Sequence, residues 1–344
     1  MSLNRSVGWG LIGASDIART RMAAAIAQQP DSEVVAVMSS QKARAQSFAS
    51  ELGVPRAYDD LDAMLADPRV DSVYISTTNN LHCPQTLAAA RAGKHVLCEK
   101  PLALSVEDAT AMVDACRAAG VVLGTNHHLR NAATHRAIRR LVADGVIGQP
   151  LAARVFHAVY LPPRLQGWRL TDPTAGGGVI LDITVHDADT LRFDLADEVV
   201  EAVALSARQG LAAADAEDAV MGVLRFDRGT LAQFHDAFTV RHAPTGFEVH
   251  GTHASLIGVD VMTQAPHGQV VLRRDNHIEE VDVGEREDLY VRSVRQFVAA
   301  VRGEGAPAAT GEDGVASLAI ALAVQAAARS GARSAVPHLT FRSI

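Results

Sequence analysis

Along the first third of the chain, short apolar runs alternate with stretches whose apolar residues recur every three or four positions: VGWGLIG then IARTRMAAAIAQQ, VVAVMSS then KARAQSFASELG. The first kind predicts strands buried on both faces and the second predicts crossover helices, so the pattern is βαβ and the sheet is parallel. Further strands are predicted at 71–77, 95–99 and 121–126, with alanine-rich helices around 82–92 and 105–119. Gly53, Gly93 and Gly120 each follow a helical pattern where a left-handed residue is wanted, and Ser105 with Asp108 resembles a capping box.

After about residue 127 the rhythm changes. A helix (130–144) leads into the irregular LPPRLQGWRLTDPTAGGG, then another helical candidate, then alternating strands such as DAVMGVLRF, GTLAQFHDAFTV and FEVHGTHASLIG; helical periods return at 289–303 and 312–330. The fold class is therefore α/β: an N-terminal Rossmann domain with a parallel sheet at 1–126, and a C-terminal α+β domain with a mainly antiparallel open sheet at 127–344. Such an open sheet face suits either a dimer contact or water, which leaves monomer and dimer both open.

Composition agrees with this picture. The 344 residues are too many for one typical core of roughly 150 residues, and 48% hydrophobic with 21% charged is ordinary globular usage. No run of about 18 apolar residues suits a bilayer, and the first six residues offer no signal or transit pattern, so a cytoplasmic protein without membrane partners is expected. Cys83, Cys98 and Cys116 lack C-x-x-C spacing, which argues against a disulfide framework or structural zinc. A net charge of −7 offers no basic footprint for nucleic acid.

GWGLIG spells G-x-G-x-x-G, but Gly8 and Gly10 fall inside the predicted strand, too early to cradle a phosphate. A phosphate-binding turn belongs between a strand and its helix, which selects Gly13-Ala14-Ser15-Asp16-Ile17-Ala18, with Gly13 at the tight turn. The end of the second strand reads Met38-Ser39-Ser40-Gln41-Lys42-Ala43-Arg44. It lacks the acid that would bind a ribose 2′-hydroxyl and carries hydroxyls and Arg44 instead, so NADP(H) is expected. Lys42 and Arg44 also fit a plain solvated helix face.

HVLCEKPLAL sets Glu99, Lys100 and Pro101 at the carboxyl end of a parallel strand, where open α/β sheets place their ligand crevice, and a cis bond at Pro101 is one option. In GGGVILDITVHDADTLRF, Asp182 and His186 are four apart. On a helix that spacing brings side chains roughly 6 Å apart, on a strand about 13 Å; the continuation through Asp189 and Leu191-Arg192 selects the helix. A half-buried His–Asp pair kept for stability is the other reading. His127, His128 and His135 cluster without a cysteine or spaced carboxylate to complete a donor set, so no metal is expected, and His235, His250 and His253 read as sheet-face residues.

EKPLA, the G-G-G-x-x-x-D-x-x-x-H run and the turn at Gly13, together with STTNNLH, GTNHHLRNAA, RVFHAVYLPPRLQGWRL, GFEVHGTHASLIG and TGEDGVASLA, resemble the glucose-fructose oxidoreductase / inositol dehydrogenase / rhizopine-catabolism (Gfo/Idh/MocA) family over most of the chain. The resemblance implies a Rossmann domain, a larger-sheet domain and an active site between them. It implies that Lys100, Asp182 and His186 are the catalytic lysine, carboxylate and proton donor, acting on a small 2-keto sugar. It further implies that Ser39 and Arg44 bind the 2′-phosphate. Thr77, Thr78, Asn79, Leu81, His82, Glu99 and Asn126 would contact the cofactor, Trp168 and Arg169 would close over nicotinamide and substrate, and Tyr290 would touch substrate. Thr184 stands where the family often has glycine, which puts local backbone geometry in question. An inositol or sugar dehydrogenase running in the oxidative direction, and a sugar-sensing regulator without turnover, are the alternatives.

Overall fold

A computed structural model describes residues 6–213 and 215–339. The chain forms two compact units, Met1–His128 with Tyr290–Val315, and Leu129–Leu289 with Ala316–Ile344.

The first unit is built on β1 (Val7–Ile12), β2 (Ser32–Met38), β3 (Ala57–Tyr58), β4 (Ser72–Ile75), β5 (His95–Cys98) and β6 (Leu123–Thr125). They form one six-stranded sheet in the order β3-β2-β1-β4-β5-β6, with every pairing parallel. This is the dinucleotide-binding strand order, whose reversal between β1 and β4 opens a crevice at the strands' carboxyl ends. The crossovers are α1 (Ala23–Ala27, entered through a π-helical stretch Ala18–Met22), α2 (Lys42–Leu52), α3 (Leu61–Leu65), α4 (His82–Arg91) and α5 (Val106–Ala118). The predicted punctuation holds: Gly53, Gly93 and Gly120 have φ of +67°, +69° and +67°, and Ser105 Oγ accepts from Asp108 N at 3.1 Å.

The second unit carries α6 (Ala133–Ala143), α7 (Trp168–Thr171), α8 (Val185–Leu195) and the strands β7 (Pro150–Ala158), β8 (Val199–Ala207), β9 (Ala219–Phe226), β10 (Leu231–Ala237), β11 (Gly246–Gly251), β12 (Ser255–Val259), β13 (Gln269–Arg274), β14 (His277–Glu280) and β15 (Ser334–Ala335). The nine strands run β14-β13-β12-β11-β7-β10-β9-β8-β15, antiparallel except for β7 beside β10. His235 and His250 lie in this sheet; His253 lies in the turn between β11 and β12. Leu205 (75%) and Met221 (50%) are exposed, and a groove lined by Phe156, Leu205, Met221, Val223 and Phe234 contains none of the candidate site residues.

One segment departs from the division at 126/127. Tyr290–Val315, placed by sequence in the second domain, belongs to the first unit. There, helix α9 (Leu289–Val301) sets Phe297 against Trp9, ring centroids 5.3 Å apart, and Gln29 Nε2 donates to Val291 O at 3.0 Å. Thr310 then pairs with Gly124 and covers the free edge of β6, while Thr125 N donates to Ala309 O at 3.0 Å. Among the described residues, no helix is long and apolar enough to cross a membrane.

Candidate active site

Gly8 and Gly10 lie inside β1, whose six residues are all buried; a Cβ on Gly8 would stand 1.8 Å from Arg69 O. The literal G-x-G-x-x-G is therefore strand packing. The turn falls at Gly13, with φ +105° and its N–H donating to Met38 O at 2.9 Å, and a Cβ there would meet the Ser76 backbone at 3.1 Å. Ala14 and Ser15 follow, and Ser15 Oγ accepts from Ala18 N (3.1 Å) and bonds Ser76 Oγ (2.8 Å). The serine thus ties the turn to the end of β4, while Asp16 and Ile17 lead into the helix.

At the end of β2, Ser39 is buried with its N–H on Tyr58 O (3.1 Å), and Ser40 is exposed. Arg44, in the first turn of α2, donates from Nη2 to Ala14 O at 2.7 Å, which holds its guanidinium against the Gly13 turn. Hydroxyl and guanidinium beside a phosphate turn, with no acid between Met38 and Arg44, form a donor set that suits a 2′-phosphate.

Past β4, Thr77 Oγ1 donates to Gln85 Oε1 and Thr78 Oγ1 to Asn80 Oδ1, both at 2.7 Å; Asn79 is buried and Leu81 is 41% exposed. His82 opens α4 fully buried, its Nδ1 2.9 Å from Pro101 O, and burial pushes its pKa down to about 4. Glu99 and Lys100 are half-buried beyond β5, and the Lys100–Pro101 bond is cis. Glu99 Oε1 accepts from Tyr74 Oη (2.5 Å) and Asn126 Nδ2 (2.6 Å), and Ser293 Oγ donates to Asn126 Oδ1 at 3.1 Å. Burial raises the Glu99 pKa, and these donors oppose the rise. Tyr290, one turn before Ser293 on α9, is 1% exposed and stacks on His128 with centroids 5.4 Å apart.

In the second unit, Gly176 and Gly178, at φ +90° and +111°, lead into a π-helical stretch Ile180–Thr184 that continues as α8. Asp182 and His186 are therefore helical neighbours, and the π turn lies between them. Arg169 Nε stands 3.4 Å from Asp182 Oδ2, and its guanidinium lies 4.6 Å over the Trp168 ring, so these three side chains form one group. His186 is 6% exposed. Thr184 keeps ordinary helical angles (φ −60°, ψ −29°), so glycine is not required at this position.

Three residues escaped the sequence reading. Asp187 Oδ1 takes a hydrogen bond from His157 Nδ1 (2.8 Å), the His157 ring lies 6.3 Å from that of His186, and Thr184 Oγ1 donates to Asp236 Oδ2 at 2.5 Å. These contacts join β7, α8 and β10 across 30 and 52 positions, and no local spacing announces them. His135, of the histidine cluster, bonds Asp194 Oδ2 at 2.8 Å.

Residues 7–127 match the oxidoreductase family with an NAD-binding Rossmann fold (GFO_IDH_MocA), and residues 135–257 match the GFO/IDH/MocA C-terminal domain. The chain belongs to the Gfo/Idh/MocA family. Among Gfo/Idh/MocA relatives, the 1,5-anhydro-D-fructose reductase of Ensifer adhaerens is 58% identical over 94% of this chain and 96% of its own length. The myo-inositol 2-dehydrogenase of Thermotoga maritima is 30% identical over 86% and 88%. The crystal structure of aldose-aldose oxidoreductase from Caulobacter crescentus in complex with glycerol superposes with a TM-score of 0.88 at 26% identity, covering 96% of this chain and all (100%) of that one. As a Gfo/Idh/MocA oxidoreductase, the chain pairs an NAD(P)-binding Rossmann fold with a second domain on a mainly antiparallel sheet.

Proposed function

We propose that this chain reduces the C2 ketone of 1,5-anhydro-D-fructose with NADPH, forming 1,5-anhydro-D-mannitol. The observation that carries the reading is the 58% identity to the Ensifer reductase over nearly the whole of both chains. Gly13, Ala14, Ser15, Asp16 and Ile17 would hold the pyrophosphate, and Ser39, Ser40 and Arg44 the 2′-phosphate. Thr77, Thr78, Asn79, Leu81, His82, Glu99 and Asn126 would flank the rest of the cofactor.

When bound, NADPH supplies a hydride to the ketone carbon, which leaves negative charge developing on the carbonyl oxygen. Lys100 holds that oxygen through its ammonium, and His186 delivers the proton, since an imidazole with a reference pKa of about 6.5 cycles near neutrality. Asp182, steadied by Arg169, orients the sugar hydroxyls or His186. Trp168 would close over the nicotinamide and Tyr290 would touch the substrate. The enzyme works in the cytoplasm, a reading supported by three free thiols at Cys83, Cys98 and Cys116.

Steady-state assays over a panel of keto sugars, with NADPH against NADH and in both directions, test the reading, with product configuration read by NMR. A strong preference for NAD+ with a polyol overturns it in favour of a dehydrogenase. Full cofactor binding with no turnover on any sugar would favour a sensor.

A further inference from the structure

The acids flanking α8 are mostly matched by cations: Asp182 by Arg169 (3.4 Å), Asp189 by Arg130 (2.6 Å), Asp194 by His135 (2.8 Å). Asp187 and Asp236 are treated differently. Both are fully buried, and the neighbouring Asp187 carboxyl raises the Asp236 pKa beyond what burial alone does. Asp187 Oδ1 accepts from His157 and Asp236 Oδ2 from Thr184, while Asp187 Oδ2 and Asp236 Oδ1 are buried without a hydrogen-bond partner. Two neighbouring buried carboxylates, each with an unpartnered oxygen, repel one another, so the pair holds a proton. Burial raises both carboxyls above the ordinary range.

The neighbours decide which carboxyl is charged. Asp187 is hydrogen-bonded to the imidazole of His157, whereas the hydrogen bond to Asp236 comes from the Thr184 hydroxyl. A negative charge is best placed beside the imidazole, so the proton sits on Asp236. Asp187 in turn fixes the Nδ1–H form of His157, whose ring lies 6.3 Å from that of His186 at an interplanar angle of 46°.

We propose that His157, Asp187 and Asp236 form a positioning chain for His186, with the charge on Asp187 and the proton on Asp236, so that the negative charge behind His157 keeps the proton donor protonated for ketone reduction. The inference rests on the reading of His186 as that donor. Its signature is an asymmetry between two neighbouring aspartates. Asp187→Asn removes the charge. Asp236→Asn replaces a neutral acid with a neutral amide whose oxygen still accepts from Thr184.

The test is the alkaline limb of the kcat–pH profile for NADPH-dependent reduction, together with the NMR titration of the His186 ring protons. Asp187→Asn should move both to lower pH by about one unit with KM for the ketone little changed, and His157→Gln should move them in the same direction. Asp236→Asn should leave both at the wild-type position. The inference is overturned if Asp187→Asn and His157→Gln leave the limb in place, or if Asp236→Asn moves it as far as Asp187→Asn does. Thermal melting checks the fold of each variant; should Asp187→Asn fail to fold, His157→Gln decides alone, because His157 is 8% exposed and sits at the open end of the chain. A separate arm protects the underlying reading. If His186→Asn reduces the ketone at the wild-type rate, the proton-donor assignment falls; if it is inactive and the limb still does not move in the other variants, only the positioning chain falls.

Discussion

In the first unit the half-buried Glu99 is surrounded by donors, Tyr74 and Asn126, whereas in the second the fully buried Asp187 and Asp236 each leave one carboxyl oxygen without a partner. The first arrangement sets a hydroxyl and an amide against the rise in pKa that burial causes at the end of a strand. The second keeps one carboxyl neutral and so needs fewer donors, at the cost of sensitivity to pH. The same contrast extends to the histidines: His82 of the first unit is buried and held neutral, while His157 of the second rests on an acid. Charge at Glu99 is thus set against local donors, and charge behind His186, the proposed proton donor, by a titrating group.

The strongest way to probe this contrast uses one residue from each unit. Lys100→Ala and His186→Ala should each lower kcat/KM for ketone reduction by about 10²–10⁴-fold while NADPH affinity, read by fluorescence quenching, changes no more than a few-fold. Equal losses would mark both units as contributors to one reaction; wild-type turnover in either variant would remove that residue from it. Next in size, Ser39→Asp or Arg44→Ala should cut the preference for NADPH over NADH by about 10–100-fold, the loss expected from a charge-assisted contact.

Stability against pH separates the units more finely. His82, folded at about 4 against a reference near 6.5, stays neutral while the unfolded chain takes a proton, so its contribution is complete above 6.5 and is lost as pH falls toward 4. His82→Gln should remove a pH dependence on the order of 3 kcal/mol in that window, measured by urea unfolding. The carboxyl pair has the opposite sign. Its raised folded pKa values contribute stability at low pH that is lost as pH rises, so Asp236→Asn should gain a few degrees in melting temperature at pH 8 relative to pH 5. Smallest of all, Ser105→Ala should cost about 1 kcal/mol by uncapping α5, with no change in kinetics.

What was legible in the sequence follows how local each signal is. The strands and crossovers of the first unit, the αL glycines and the Ser105 cap are decided within a few residues, and the structure places them within a few positions of the pattern. The Gly13 frame was legible for the same reason, since a turn must lie where a strand stops. The helical reading of Asp182 and His186 also held, although the π turn between them has no pattern of its own. The order of the nine-stranded sheet, with β7 parallel to β10 near its middle, was not legible, because it is set by pairings some 80 positions apart, such as Leu231 opposite Ala152. The His157–Asp187–Asp236 group was hidden likewise: each residue alone reads as an ordinary polar position in a strand or helix.

The return of Tyr290–Val315 to the first unit has a consequence for biosynthesis. The six strands of the parallel sheet are complete by Thr125, but the Phe297 ring that packs on Trp9 and the Thr310 segment that closes the β6 edge are translated more than 160 residues later. A nascent chain emerging from the ribosome therefore carries an unfinished nucleotide-binding half, with one sheet margin open, through roughly half of elongation.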